Sequence, residues 1–121
     1  MNRSVSWQFA GAAVWLTLAA GAAGGCALPI ERGLQSDTDS ARIDACVRAG
    51  DSGDPRYAPL LIELLDVPSA DVRFYAISAL ERVTGCSYPY CYHGPAAEVA
   101  ADARLVRGQW LAGRGRGGAG G

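Results

Sequence analysis

The chain has 121 residues, of which 50% are apolar and 19% are charged, and its formal net charge at pH 7 is -1. This length has room for one domain, and the composition is that of a soluble globular body plus one apolar segment. The near-neutral charge gives no electrostatic case for binding nucleic acid or an acidic surface. All eleven basic residues are arginine, which we attribute to compositional bias and not to a binding signal.

Residues 1–25 have the three zones of an export signal in the expected order. Arg3 gives a positive start, residues 9–20 are apolar apart from Thr17, and residues 19–25 contain only Ala and Gly. A signal peptidase recognises this order of zones, whereas a membrane span needs about 20 apolar residues. The pattern predicts a cleaved signal peptide, and an uncleaved N-terminal helix is the alternative.

The segment ends in Ala23-Gly24-Gly25-Cys26, which resembles the lipobox of bacterial lipoproteins. In that family the Cys thiol receives a diacylglyceryl group, and the chain is cut before the Cys and acylated there. The resemblance therefore implies a lipid anchor on Cys26, although position 23 is Ala where the family usually has Leu. An Asp directly after the Cys would resemble an inner-membrane retention signal, but this chain has Ala27 there. The resemblance therefore favours the periplasmic face of the outer membrane.

Composition predicts how the rest of the chain is divided. Residues 26–37 include Pro29 and Gly33 and show no sustained period, so we expect a lipidated tether. Residues 38–112 carry helical periodicity and form the predicted domain. Residues 113–121 consist of Gly, Arg and Ala only, and we expect a disordered tail because such a composition cannot bury a core.

The first half of the domain contains two predicted helices. The first lies near residues 40–49, with an apolar face formed by Ile43, Cys46 and Val47. The second begins at Asp54, an N-cap, followed by Pro55 at the first helical position, where the missing N–H is not needed. It continues through the almost wholly apolar residues 60–65, which predicts burial on more than one face. Pro59 should loosen its first turn.

The second half also contains two predicted helices. One begins after Ser69 as the N-cap and ends at Gly85 as the C′ residue. Phe74 and Ile77 flank its main apolar stripe, which is formed by Val72, Ala76, Ala79, Leu80 and Val83. The other runs over residues 94–111, with a stripe formed by Val99, Ala103, Val106 and Trp110.

The segment from Gly53 to Leu65, GDPRYAPLLIELL, followed by Ala70-Asp71-Val72-Arg73 and by Ala76 to Leu80, AISAL, resembles a HEAT repeat of the phycobilisome-lyase type. The resemblance implies an all-α fold, a short α-α superhelix (HEAT-like solenoid) of about two repeats. In such helices Asp71 and Arg73 resemble stacking and salt-bridge positions. The later Arg82-Val83-Thr84-Gly85, the aromatics, Pro95 and Trp110 resemble more loosely the C-terminal end of short bacterial HEAT-repeat proteins.

Cys46, Cys86 and Cys91 remain beyond the predicted anchor, an odd number for an oxidising compartment. A disulfide between Cys86 and Cys91 across a Pro-containing loop is feasible and would leave Cys46 as a small buried apolar residue. Pairing of Cys46 with either loop cysteine is the alternative. The spacing of Cys86, Cys91 and His93 also matches three ligands of a zinc ion, although a structural site needs a fourth.

We find no catalytic constellation in the sequence, and we predict neither an enzyme nor a cofactor. Tyr88, Tyr90, Tyr92 and Trp110 either cover the end of the helical stack or form an exposed aromatic patch. The leading hypothesis is a membrane-anchored module that binds an unidentified protein partner and no nucleic acid. The alternatives are a metal- or redox-responsive protein that uses Cys86, Cys91 and His93, and a lyase-like cofactor handler.

Overall fold

The structure, a computed structural model, describes residues 28–120, with side chains described up to residue 114. Within that range the chain is all-helical and forms no strand, as the sequence predicts. Two short 3-10 turns, Pro55–Tyr57 and Leu64–Asp66, flank the third helix. The helices in chain order are α1 (Ile30–Leu34), α2 (Asp39–Ser52), α3 (Ala58–Glu63), α4 (Ala70–Thr84) and α5 (Ala96–Gly120).

The predicted helix ends are confirmed where their chemistry is specific. Asp54 accepts a hydrogen bond from the Arg56 backbone N–H at 3.0 Å, and Ser69 accepts one from the Val72 N–H at 3.3 Å. At Gly85 the backbone ends α4 with φ of 72°, a left-handed conformation that a side chain would strain. These residues fix where the 3-10 turn before α3 starts, where α4 starts and where the loop after α4 begins.

The first turn of the second predicted helix is not α-helical, in agreement with the loosening expected from Pro59. The chain turns as a 3-10 helix over Pro55–Tyr57 and becomes α-helical only from Ala58. A proline ring removes one backbone donor and crowds the preceding turn, so the tighter 3-10 geometry precedes it. Four apolar residues of this part, Leu61, Ile62, Leu64 and Leu65, are buried, which confirms that it is covered on more than one face.

Helix α4 lies at the centre of the fold and packs most extensively on α2 and then on α3. The stripe predicted for it is buried at every position, and Val99, Ala103 and Val106 of α5 are buried as well. Helix α5 covers α3 and the turn at Leu64–Asp66. The largest fully buried side chains of the core are Leu61, Ile62, Leu65, Val72, Leu80, Val106 and Cys46.

The prediction of a tether over residues 26–37 is wrong for residues 30–34, which form α1 and pack on α2. Leu34 is 2% exposed and belongs to the core. Gly33 allows this contact, because a Cβ there would lie 2.7 Å from the Ala45 Cβ. A helix of five residues with one large buried side chain is too short to show a helical period in the sequence.

Two further expectations differ from the structure. Val47 is 41% exposed, and α2 instead buries the small residues Ala45, Cys46 and Ala49 against its neighbours. The last helix does not end near Leu111 but continues to Gly120, beyond the expected boundary at residue 112. The helix can continue because no proline follows Pro95. The Arg114 guanidinium also lies over the Trp110 ring of the preceding turn, 4.9 Å from its centre.

Candidate interaction surface and cavity

Residues 85–95, the loop between α4 and α5, are held by both helices. The backbone N–H of Tyr88 donates to the Glu81 carboxylate at 2.9 Å, and that of Cys91 donates to the Asp102 carboxylate at 3.2 Å. The Tyr90 hydroxyl donates to the Leu65 carbonyl. Because these bonds reach α4, α5 and the turn after α3, the 85–95 loop has a defined conformation without any strand.

Arg73 links the same loop to the segment after α3. Its side chain is buried, with Nε donating to the Tyr92 carbonyl at 2.8 Å. One terminal nitrogen, Nη1, donates to the carbonyls of Val67 and Pro68 at 2.6 and 2.9 Å. The salt-bridge role expected from the HEAT resemblance is therefore wrong for Arg73, which binds only carbonyls among its described partners. A buried guanidinium that satisfies three carbonyls is a strong structural link.

An exposed chain of aromatic rings lies where Arg73 holds the loop. The Phe74 ring centre is 5.2 Å from that of Tyr75 and 5.0 Å from that of Tyr92. The Tyr92 ring meets the His93 ring edge-on at 4.8 Å. Phe74 and Tyr75 are 41% and 37% exposed, which is high for rings of this size. We call these four residues the aromatic ridge.

The sequence predicted this surface only in part. Of the four aromatics considered together, Tyr88, Tyr90 and Trp110 pack against the core, as the covering role requires. Burial also raises the pKa of Tyr90 to about 12. Only Tyr92 joins the aromatic ridge. The sequence places Phe74 on a second apolar flank of α4, but the periodicity of a helix does not show which flank remains uncovered.

The structure does not bring together Cys86, Cys91 and His93, the residues considered for a disulfide or a zinc site. Cys91 Sγ lies 3.6 Å from His93 Nδ1, whereas the Cys86 thiol points to the Thr84 carbonyl at 3.7 Å. Both thiols are exposed and free, so the structure does not join Cys86 to Cys91. In the described part of the chain no three His, Cys, Asp or Glu residues are placed to hold a metal ion.

The disulfide between Cys86 and Cys91 therefore stays a prediction. Thiol counting on the unfolded, lipidated chain without reductant tests it: one free thiol, that of Cys46, is expected if the bridge forms. Three free thiols would show that it does not.

A cavity of about 730 Å³ opens on another part of the body. It lies between the end of α4 at Val83, the start of the 85–95 loop at Cys86 and Tyr88, and the part of α5 from Gln109 to Arg114. Its lining is mainly apolar, and the core-packed Trp110 ring forms one wall. Nothing in the sequence indicated this cavity, because its walls come from separate segments.

The predicted anchor, Cys26, and the signal peptide, residues 1–25, lie outside the described residues. Within residues 28–120, none of the helices combines the length and the apolar character that crossing a membrane requires.

Comparison of the chain with known proteins finds no matching family model, no matching curated protein and no matching solved structure. The observations that bear on function are thus the chain's own: a body of five described helices, an aromatic ridge fixed by Arg73, and an apolar cavity beside Trp110.

Proposed function

We propose that this chain is a lipid-anchored envelope protein whose helical body binds another protein through the aromatic ridge. The observation that carries the proposal is the exposure of Phe74 and Tyr75 next to the rings of Tyr92 and His93. Aromatic rings are enriched among the few residues that supply most of the binding energy at protein interfaces. A contiguous group of them is therefore a better guide to a docking surface than exposed leucines scattered singly.

The rigidity of the ridge supports the same proposal. Arg73 lies next to Phe74 in α4 and binds the carbonyl of Tyr92, so one buried side chain fixes both halves of the ridge. A surface that is ordered before binding loses less conformational entropy when its partner docks. An enzyme is not proposed, because the nearest approach to a catalytic pair, Cys91 with His93, lies in the open loop and has no described carboxylate to orient the imidazole.

We also propose that the fold is a HEAT-like superhelix of about two repeats. Its support is the pair formed by α3 and α4, with the 3-10 turn before Pro59, α4 packed on α2 and α3 packed on α5. Helical repeats of this kind present extended faces to partners. The fold proposal does not depend on the binding proposal, whose support is the exposure and the mutual contacts of the ridge rings.

For the anchor, we propose a lipid on Cys26 at the periplasmic face of the outer membrane. Because α1 begins at Ile30, only residues 27–29 would separate the lipid from the folded body. Three extended residues span at most about 10 Å, so the body would lie directly on the membrane surface. A partner in or at the same membrane is therefore favoured.

The binding proposal is tested by crosslinking in native membranes, followed by identification of what is attached. We compare the wild type with Phe74→Ser and with Leu105→Ser, which removes an exposed apolar side chain of α5 outside the ridge. Loss of one adduct in Phe74→Ser and its retention in Leu105→Ser support the proposal. Equal adducts in all three proteins would contradict it.

The anchor has its own test. Cys26→Ser removes the thiol that would carry the lipid, and the protein should then appear in the soluble periplasmic fraction. Retention of the variant in the membrane would mean that the uncleaved N-terminal segment is the anchor, because an acyl group can no longer be attached.

A further inference from the structure

We propose that the cavity beside Trp110 is a binding site for a single-chain amphiphilic carboxylate, with the apolar chain in the cavity and the carboxylate on Arg114. The volume of about 730 Å³ falls within the range of roughly 300–1,000 Å³ that is typical of small-molecule sites. The site is separate from the aromatic ridge and does not depend on the protein-binding proposal.

The walls of the cavity are apolar and are held in place by the fold. Val83, at the end of α4, is 7% exposed, and the Trp110 ring packs against the core on one side and lines the cavity on the other. Tyr88 is fixed through its backbone bond to Glu81. Pro55 completes this part of the lining. Replacement of the water on such a preformed apolar surface by a hydrocarbon chain lowers the free energy of the system.

Charge selects the head group of the ligand. Among the described residues that line the cavity, Arg114 alone is charged at neutral pH. All twelve acidic residues of the chain lie between residues 31 and 102, and the ion pairs formed there do not include Arg114. Its guanidinium lies over the Trp110 ring at 4.9 Å, and no described carboxylate forms an ion pair with it. A guanidinium binds a carboxylate through two parallel hydrogen bonds.

One cation beside one apolar cavity matches a ligand with one acid group and one chain. A nucleotide would bring several negative charges to a single guanidinium, and a cationic amphiphile would place its head group against Arg114. A smaller pocket of about 180 Å³ shares the Trp110 wall, but Glu63 and Arg107 line it, so it does not suit the second chain of a diacyl lipid. The geometry therefore points to a free monocarboxylate.

Cys86 gives the site a direct reporter, because its thiol lines the cavity, whereas Cys91 is an exposed thiol outside the lining. The full chain is kept reduced, and its alkylation by iodoacetamide is followed for each cysteine by mass spectrometry. Decanoate below its micelle concentration is the probe, and decyltrimethylammonium is the control of opposite charge. We expect decanoate to slow the alkylation of Cys86 by about tenfold at nine-tenths occupancy and to leave Cys91 unchanged.

Two variants with matched controls test the two parts of the site. Arg114→Gln should raise the decanoate concentration needed for protection by about tenfold or more, whereas Arg107→Gln on the same helix should not. Ala112→Phe places a ring in the cavity from an exposed position and should abolish the effect of decanoate. Ala97→Phe, exposed outside the cavity, should leave it intact.

Three results would overturn the proposal. Equal protection by decanoate and decyltrimethylammonium would remove the role of Arg114. Equal slowing of Cys86 and Cys91 would show a general effect on the protein. Protection that rises with protein concentration in the absence of decanoate would show that a second copy of the chain covers the cavity. Helical circular dichroism of every variant confirms that each one is folded.

Discussion

The Arg73 guanidinium donates from Nε to the Tyr92 carbonyl oxygen at 2.8 Å, joining α4 to a loop nineteen residues further along the chain. The same side chain holds two carbonyls of the segment before α4. Two irregular segments are thus fixed to one helix by a single cation. The position of Tyr92 beside Phe74 follows from this bond, since the rings themselves are too exposed to order the loop alone.

Replacing Arg73 with Met should lower the free energy of unfolding by about 2–4 kcal/mol, because three part-buried carbonyls lose the donors of a buried guanidinium. Arg73→Lys should lose less, since an ammonium keeps the charge but not the fork of donors. Urea denaturation measures both. The control is Arg48→Met, which breaks an exposed pair with Asp44 and should cost less than about 0.5 kcal/mol. Similar losses for Arg73→Met and Arg48→Met would contradict the role assigned to Arg73.

The inclusion of α1 in the core is tested with two leucines. Leu34→Ala should destabilise the protein by about 2–4 kcal/mol, because Leu34 is 2% exposed and its loss leaves a cavity. Leu28→Ala should cost less than about 0.5 kcal/mol, because Leu28 is 48% exposed. Thermal or urea unfolding distinguishes them. If both substitutions were equally mild, residues 30–34 would behave as the tether that composition suggests.

Gly33→Ala should change the stability of the protein in the direction opposite to that expected from helix propensity. In an open helix, Gly→Ala stabilises by about 0.5–1 kcal/mol. Here the new Cβ would lie 2.7 Å from the Ala45 Cβ, and overpacking of this kind costs about 1–3 kcal/mol. We therefore expect Gly33→Ala to be destabilising and the double variant Gly33→Ala/Ala45→Gly to recover part of the loss. A gain in stability from Gly33→Ala alone would show that α1 does not approach α2 so closely.

Burial raises the pKa of the Cys46 thiol from 9.0 to about 12. The folded state therefore keeps the proton that the unfolded state releases, so Cys46 contributes its full stability below pH 9 and loses it as the pH rises towards 12. Cys46→Ala should reduce the slope of unfolding free energy against pH in that window. An unchanged slope in Cys46→Ala would mean that the thiol titrates normally in the folded protein.

Sequence reasoning located the helices whose ends are chemically marked. Ser69, Gly85 and the pair Asp54-Pro55 act locally, through bonds to neighbours two to four residues away, so their effects can be deduced without the fold. The buried stripe of α4 was equally evident, because burial on one side of a helix repeats with the helical period.

What the sequence did not reveal depends on contacts between distant segments. The exposure of Phe74 depends on which flank of α4 its neighbours leave open, and the role of Arg73 depends on carbonyls in two loops. Leu34 is buried only because Gly33 lets α1 approach Ala45. The aromatic ridge and the cavity both combine residues separated by many positions, and periodicity carries no information about such pairs.

The most direct measurement places a photo-crosslinking amino acid at position 74, and in a parallel protein at position 105, in cells that carry the native envelope. Both positions are exposed and apolar, but only position 74 belongs to the aromatic ridge. The proposed function predicts one discrete adduct from position 74, absent from position 105 and competed by an excess of the unlabelled protein. No adduct from position 74, or the same adducts from both positions, would contradict the claim that the ridge binds a partner.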